Sequence, residues 1–297
     1  MVDDLLRVPA RRPASPRTIP ALVWLPLIAA AIQVAVLWLS RSAVMQPLPL
    51  DSIVGIVSNV TPFLLAAAVL LGLPRWQDAR RWLLGAVGAF ALVGVLDLGR
   101  DVWFAAQPYG NLPVDDTSQA LMRIRGTIVG ALSIAAPVLL GIGLWTGRPE
   151  RTGRVRRVAV LSVGVVGGAA IVGGMLEAWL ALGLAPERST PLDVPLLVLT
   201  GLNPAGLAVL GVAAARNVSG GRSLPELLIA VGATLWLAAN GWVQWSSFAL
   251  LSAGPLGAMP DGWYTMIDLT SAIMLLGMLV VIVGFGSGGW LRRPRSD

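Results

Sequence analysis

Eight times between residues 20 and 286 the sequence runs apolar and is then broken by proline, glycine or charge. Each run is close to the roughly 20 residues that an α-helix needs to cross the hydrocarbon of a bilayer. Backbone in lipid must satisfy its own hydrogen bonds, so only helices or closed barrels can span it, and runs this long are helical. The spans read as 20–40, 52–73, 82–105, 124–146, 158–185, 194–215, 225–252 and 264–286. The expected fold class is therefore all-α, a polytopic integral membrane bundle of about eight transmembrane helices. Composition agrees: 13% of residues are charged, against about 25% in soluble domains.

Arginine placement sets the expected orientation. All 22 basic residues are Arg, as suits a GC-rich bacterial genome. With the N-terminus inside, seventeen of them fall in the inner segments, in stretches such as RRPASPR, RWQDARR, RPERTGRVRR and RRPRSD. Five are left outside: Arg41, Arg100, Arg123, Arg125 and Arg188. Excess positive charge marks the cytoplasmic side, so the expectation is a multi-pass protein of the bacterial inner (plasma) membrane with both termini cytoplasmic. The net charge of +6 belongs to this topology and implies no nucleic-acid partner. The first apolar run is longer than a signal-peptide core and is followed by no A-x-A site, so it reads as an uncleaved anchor.

Residues 1–18, rich in Pro and Arg, are expected to be a disordered cytoplasmic tail, and 289–297 a basic one. Between them, 19–288 reads as a single transmembrane domain. Its longest loop, about 106–122, cannot hold a soluble domain.

Two halves, 19–150 and 155–288, are candidates for a 4+4 parallel internal repeat. At an offset of 144 residues, LLGAVGAFALVGVLDLGRDVWFA from Leu83 aligns with LLIAVGATLWLAANGWVQWSSFA from Leu227, and eight of 23 positions match. The same offset pairs Asn59 with Asn203. Shared low-complexity helix composition is the competing explanation. Parallel repeats of this kind occur in transporters, with sites near the interface between halves.

Missing residue types exclude whole chemistries. The chain has no Cys, His or Lys. It therefore offers no disulfide, thiolate nucleophile, Cys- or His-based metal site, Ser–His catalysis or Schiff base. No P-loop or dinucleotide fingerprint appears, and no cofactor is expected. LDLGRD spaces Asp97 and Asp101 as D-x-x-x-D, but the second aspartate cluster of membrane prenyltransferases is absent. Asp115–Asp116 reads as a solvated loop pair, so an enzyme is the least supported class.

What remains is polar residues inside apolar spans, where ionisable groups cost about 2.5–3.5 kcal/mol and point to function by default. Glu177 in GGMLEAWLALG is the leading candidate ion site, because its own helix offers no base. Asp97 and Asp268 fall in the same outer depth zone, with Arg100, Arg123 and Arg125 close in depth. Asp97 and Arg100, spaced i, i+3, can pair on one face. Asn240 and Gln244 share a helix face between tryptophans, and Asn203 lies beside a proline break in GLNPAG, as Asn59 does in SNVTPF. For each of these residues, interhelical pairing or hydrogen bonding competes with ligand binding. In span five, Gly164 and Gly168 form a GxxxG spacing within a glycine-rich packing face.

The function expected on these grounds is binding or transport of a small solute or ion within the bilayer. The alternative is a non-catalytic membrane subunit or scaffold acting through a membrane protein partner or as a homo-oligomer.

Overall fold

The computed structural model describes residues 18–42, 50–106, 116–146, 154–184, 193–218, 223–252 and 263–287. They form eight helices: α1 (Thr18–Ser42), α2 (Leu50–Gly72), α3 (Arg80–Ala105), α4 (Asp116–Trp145), α5 (Arg154–Leu184), α6 (Asp193–Arg216), α7 (Leu224–Ser252) and α8 (Trp263–Ser287). Each is long and apolar enough to cross a membrane, the build of a multi-pass membrane protein. Thr18 apart, the two expected tails lie outside the described residues.

Two helix starts differ from expectation. α4 begins at Asp116, well before residue 124, and α5 begins at Arg154, before 158. The stretch TSQALMR has no Pro or Gly and is rich in helix formers, so the helix continues past the apolar boundary that hydropathy detects. Residues 116–122 are thus helix, although the sequence reads as loop. The proline breaks are also continuous helix: α2 and α6 run through Pro62 and Pro204. A membrane helix tolerates the lost hydrogen bond when its neighbours pack around it.

The helices alternate in direction, so the start of α1 and the end of α8 lie at one end of the bundle, the terminus end. Six of them close a ring, each touching the next in the order α2, α3, α4, α6, α7, α8 and back to α2. α1 lies outside the ring against α2 and α3, and α5 lies outside against α6 and α7. These outer helices expose large apolar side chains such as Leu25, Leu39, Val165 and Trp179, a surface suited to lipid rather than water.

Side chains from all six ring helices fill the ring at the terminus end. Leu65 and Val69, Leu83 and Phe90, Leu140 and Leu144, Leu207 and Leu210, Ile229 and Leu237, and Val281 and Phe285 belong to one continuous buried cluster. At each helix these residues fall on the half nearer the termini. They form an apolar plug.

Close approach between helices rests on small residues, as expected where lipid gives no hydrophobic drive for association. A Cβ placed at Gly174 of α5 would lie 2.5 Å from the Gly201 carbonyl oxygen of α6, and one at Gly232 of α7 would lie 2.5 Å from the Gly277 carbonyl of α8. The GxxxG expectation for α5 is corrected here. Gly164 and Gly168 face open space, whereas Gly167 packs on Ala208 and Gly174 on Gly201. The packing stripe therefore steps by seven residues, two helical turns, rather than by four.

Candidate functional site

Following the plug-forming faces away from the termini, the lining turns polar. One turn from Leu65 on α2 lies Thr61, and one turn from Leu207 on α6 lies Asn203. On α3 the stripe Ala86, Phe90, Val93 reaches Asp97, and on α7 Trp236 is followed by Asn240. Here the ring opens into a cleft of about 490 Å³ between α2, α7 and α8. Gly55, Ser58 and Thr61 come from α2, Trp236 and Asn240 from α7, and Asp268, Ser271, Met274, Leu275 and Met278 from α8. The volume lies in the range of small-molecule sites.

Polar groups in the cleft are only partly satisfied. Thr61 donates its hydroxyl to the Val57 carbonyl at 3.0 Å, within its own helix. Asn240 Nδ2 faces the Met274 sulfur at 3.9 Å, while its Oδ1 is buried with no hydrogen-bond partner. Asp268 is exposed in the cleft and joins no salt bridge among the described residues. Pro62 has no N–H to offer the Ser58 carbonyl, so that oxygen loses its helical partner.

Elsewhere at this level three arginine–aspartate pairs among the described residues match charge with charge, and Glu177 takes a hydroxyl partner instead. Asp97 pairs with Arg125 of α4, which also donates to the Leu96 carbonyl at 3.0 Å. The i, i+3 partner expected for Asp97 turns away: Arg100 binds Asp101 at 2.7 Å and the Asn59 amide oxygen at 3.3 Å. Gln33 of α1, fully buried, donates to Asp101 at 3.1 Å, so this network ties α1, α2 and α3 together. Arg123 meets Asp193 of α6 at 2.9 Å.

Of the six residues singled out by sequence, Asn240 and Asp268 come together in the cleft. Asp97 is held in the ion pair with Arg125, and Asn203 sits on the ring-facing stripe of α6. Glu177 lies on the peripheral helix α5 and accepts a hydrogen bond from Ser247 of α7. Gln244 is buried against the Gly174–Gly201 contact, its Oε1 without a partner.

Sequence reading missed the hydroxyl residues Ser58, Thr61 and Ser271, which are cheap to carry in a helix and give no signal. It also missed Gln33, although a glutamine alone among the apolar residues of α1 was a usable sign.

At the terminus end the ring is closed by a second missed feature. Arg75, in the turn after α2, makes a bidentate ion pair with Glu226 in the first turn of α7, both contacts at 2.9 Å. Their side chains are only 14% and 9% exposed, and Trp76 stacks edge-on against Phe285 beside them. The pair reaches past α8 from α7 to the α2–α3 turn. A carboxylate at the start of an apolar span, in LPELL, was the available clue. The cleft thus lies toward one end of the ring, and apolar packing with a buried ion pair fills the other. No family model, curated protein or solved structure matches this chain.

Proposed function

We propose that the chain binds a small solute in the ring cleft and carries it across the membrane, its two four-helix halves working as parallel repeats. The observation that carries this reading is a cleft with unpaired polar atoms, stacked on an apolar plug inside one ring. A protein built only to scaffold others has no need of a cavity with unpaired polar atoms, which cost stability.

The neighbour pattern supports the repeat. Replacing α1–α4 by α5–α8 and the reverse turns every helix contact into another existing contact: α1·α2 into α5·α6, α1·α3 into α5·α7, α3·α4 into α7·α8, and α4·α6 into α8·α2. The 144-residue offset also pairs polar residues on three successive helices: Gln33 with Glu177, Asn59 with Asn203, and Arg100 with Gln244. Such an arrangement relates the halves by an axis along the membrane normal, and the cleft lies where α2 of one half meets α7 and α8 of the other. With both termini cytoplasmic, as the arginine bias indicates, the cleft faces outward and the Arg75–Glu226 pair seals the cytoplasmic side.

The absence of native cysteine permits a direct test. Ser271→Cys, in the cleft, should react in intact cells with a membrane-impermeant maleimide added outside. Ser219→Cys, between α6 and α7, should react only after lysis, and Ser189→Cys, between α5 and α6, should react throughout. Protection of Ser271→Cys in intact cells that also label Ser189→Cys would sink the outward cleft. Labelling of Ser219→Cys from outside would invert the topology.

A further inference from the structure

We infer that the cleft takes a small organic cation, an amine or a quaternary ammonium, with Asp268 as its counter-charge. The inference rests on the solute-binding reading and adds the chemical class.

Charge comes first. The four salt bridges among the described residues join Arg75, Arg100, Arg123 and Arg125 to Glu226, Asp101, Asp193 and Asp97. Asp268, like Glu177 and Asp78, is in none of them, and it is the only charged residue lining the cleft among the described residues. An anion entering here would meet a carboxylate and no lining guanidinium. A cation would meet a carboxylate that no arginine of the described salt bridges neutralises.

Two oxygen acceptors of the lining residues lack a protein donor. Asn240 Oδ1 is buried and unpartnered, and its Nδ2 is turned to a sulfur. The Ser58 carbonyl lacks its helical N–H because of Pro62. Both suit a ligand that brings N–H groups or a polarised methylammonium surface.

The deeper wall suits the apolar side of such a ligand. Trp236, Met274 and Met278 present an indole and two thioethers, and cations bind over an indole face with a gain of about 0.5–2 kcal/mol. Thioethers are polarizable and adapt to ligand shape. A bare metal ion is a poor fit, because it needs several converging ligands. No group of three acidic side chains is found among the described residues, and the cavity is far larger than an ion.

The test measures how far four solutes slow maleimide labelling of Ser271→Cys: choline and phenethylammonium, with their uncharged counterparts 3,3-dimethylbutanol and 2-phenylethanol. At least one cation should protect at a concentration tenfold or more below its neutral counterpart. Adding Asp268→Asn should remove that preference, whereas Asp268→Glu should keep it, with both variants retaining the parent unfolding midpoint. Equal protection by cation and counterpart, or labelling that neither cation slows, would overturn the cation assignment and leave an open cleft in place. No labelling in folded protein would remove the cleft itself and the assignment with it.

Discussion

The two seams that join α1–α4 to α5–α8 are built differently. The α4/α6 seam is closed along its length by glycines. A Cβ at Gly206 would lie 2.7 Å from the Ile134 carbonyl oxygen, one at Gly141 2.9 Å from Val209, and one at Gly126 3.0 Å from Leu196. In the α2/α8 seam the close glycine contact found among the described residues is at the terminus end, where a Cβ at Gly72 would lie 2.6 Å from the Phe285 carbonyl oxygen. From there α2 and α8 present Thr61, Ser58, Met274 and Ser271 to the cleft. Backbones in contact leave no room for a ligand, whereas a seam that borders a cavity does. One seam therefore reads as a fixed joint and the other as a mouth sealed at its base.

The base is the first place to break this contrast. Glu226→Ala leaves the Arg75 guanidinium buried beside Trp76, and losing one partner of a buried pair costs about 3–5 kcal/mol. The unfolding free energy in detergent should fall by about 3 kcal/mol. An unchanged value would mean that the ion pair does not hold the α2/α8 seam. Second in size is Gly206→Ala in the closed seam. Its methyl would press on backbone, which yields less readily than a flexible side chain, and overpacking of this kind costs about 1–3 kcal/mol. If the same measurement shows no loss, α4 and α6 can part, and the joint is not fixed.

These differences were unevenly legible in the sequence. The spans were, because lipid-length apolar runs leave few alternatives; 82–105 against Arg80–Ala105 is typical. The early start of α4 was not, because a polar helical turn carries no hydropathy signal. Asn240 and Asp268 stood out singly as polar residues in apolar helices. Nothing local says that they share a cleft, since that depends on α8 packing between α2 and α7. Spacing misled for Asp97 and Arg100: i, i+3 permits a pair on one helix, but Arg125 on α4 competes for the carboxylate and Asp101 with Asn59 for the guanidinium. Glu177 drew attention because its own helix had no base, and its Ser247 partner lies on another helix. Depth along a helix can be read from sequence. Rotation about its axis, which decides between ring interior and periphery, needs the neighbours.

Smaller effects sharpen the comparison from the mouth side. Asp268→Asn should change the unfolding free energy by no more than about 0.5 kcal/mol, because an exposed carboxylate with no salt bridge holds no helix in place. A loss as large as that of Glu226→Ala would show that Asp268 is structural, and the mouth would then be tied shut like the base.

The smallest effect is expected at Gly164 and Gly168. Their GxxxG spacing suggests a helix contact, yet a Cβ at either would touch nothing within 4 Å, whereas one at Gly167 would lie 2.7 Å from the Ala208 side chain. Gly164→Ala and Gly168→Ala should leave stability within about 0.5 kcal/mol, since an added methyl on an open helix face displaces only lipid or detergent. Gly167→Ala must push α5 away from α6 or shift Ala208, so it should be the destabilising member of the set. The three variants differ by the same methyl on the same helix, so helix propensity nearly cancels between them and the order reports rotation alone. If Gly164→Ala or Gly168→Ala proves the costly one in detergent, α5 is turned so that its GxxxG face meets α6 or α7. If the loss appears only in bilayers and grows with protein concentration, that face meets a second copy of the chain.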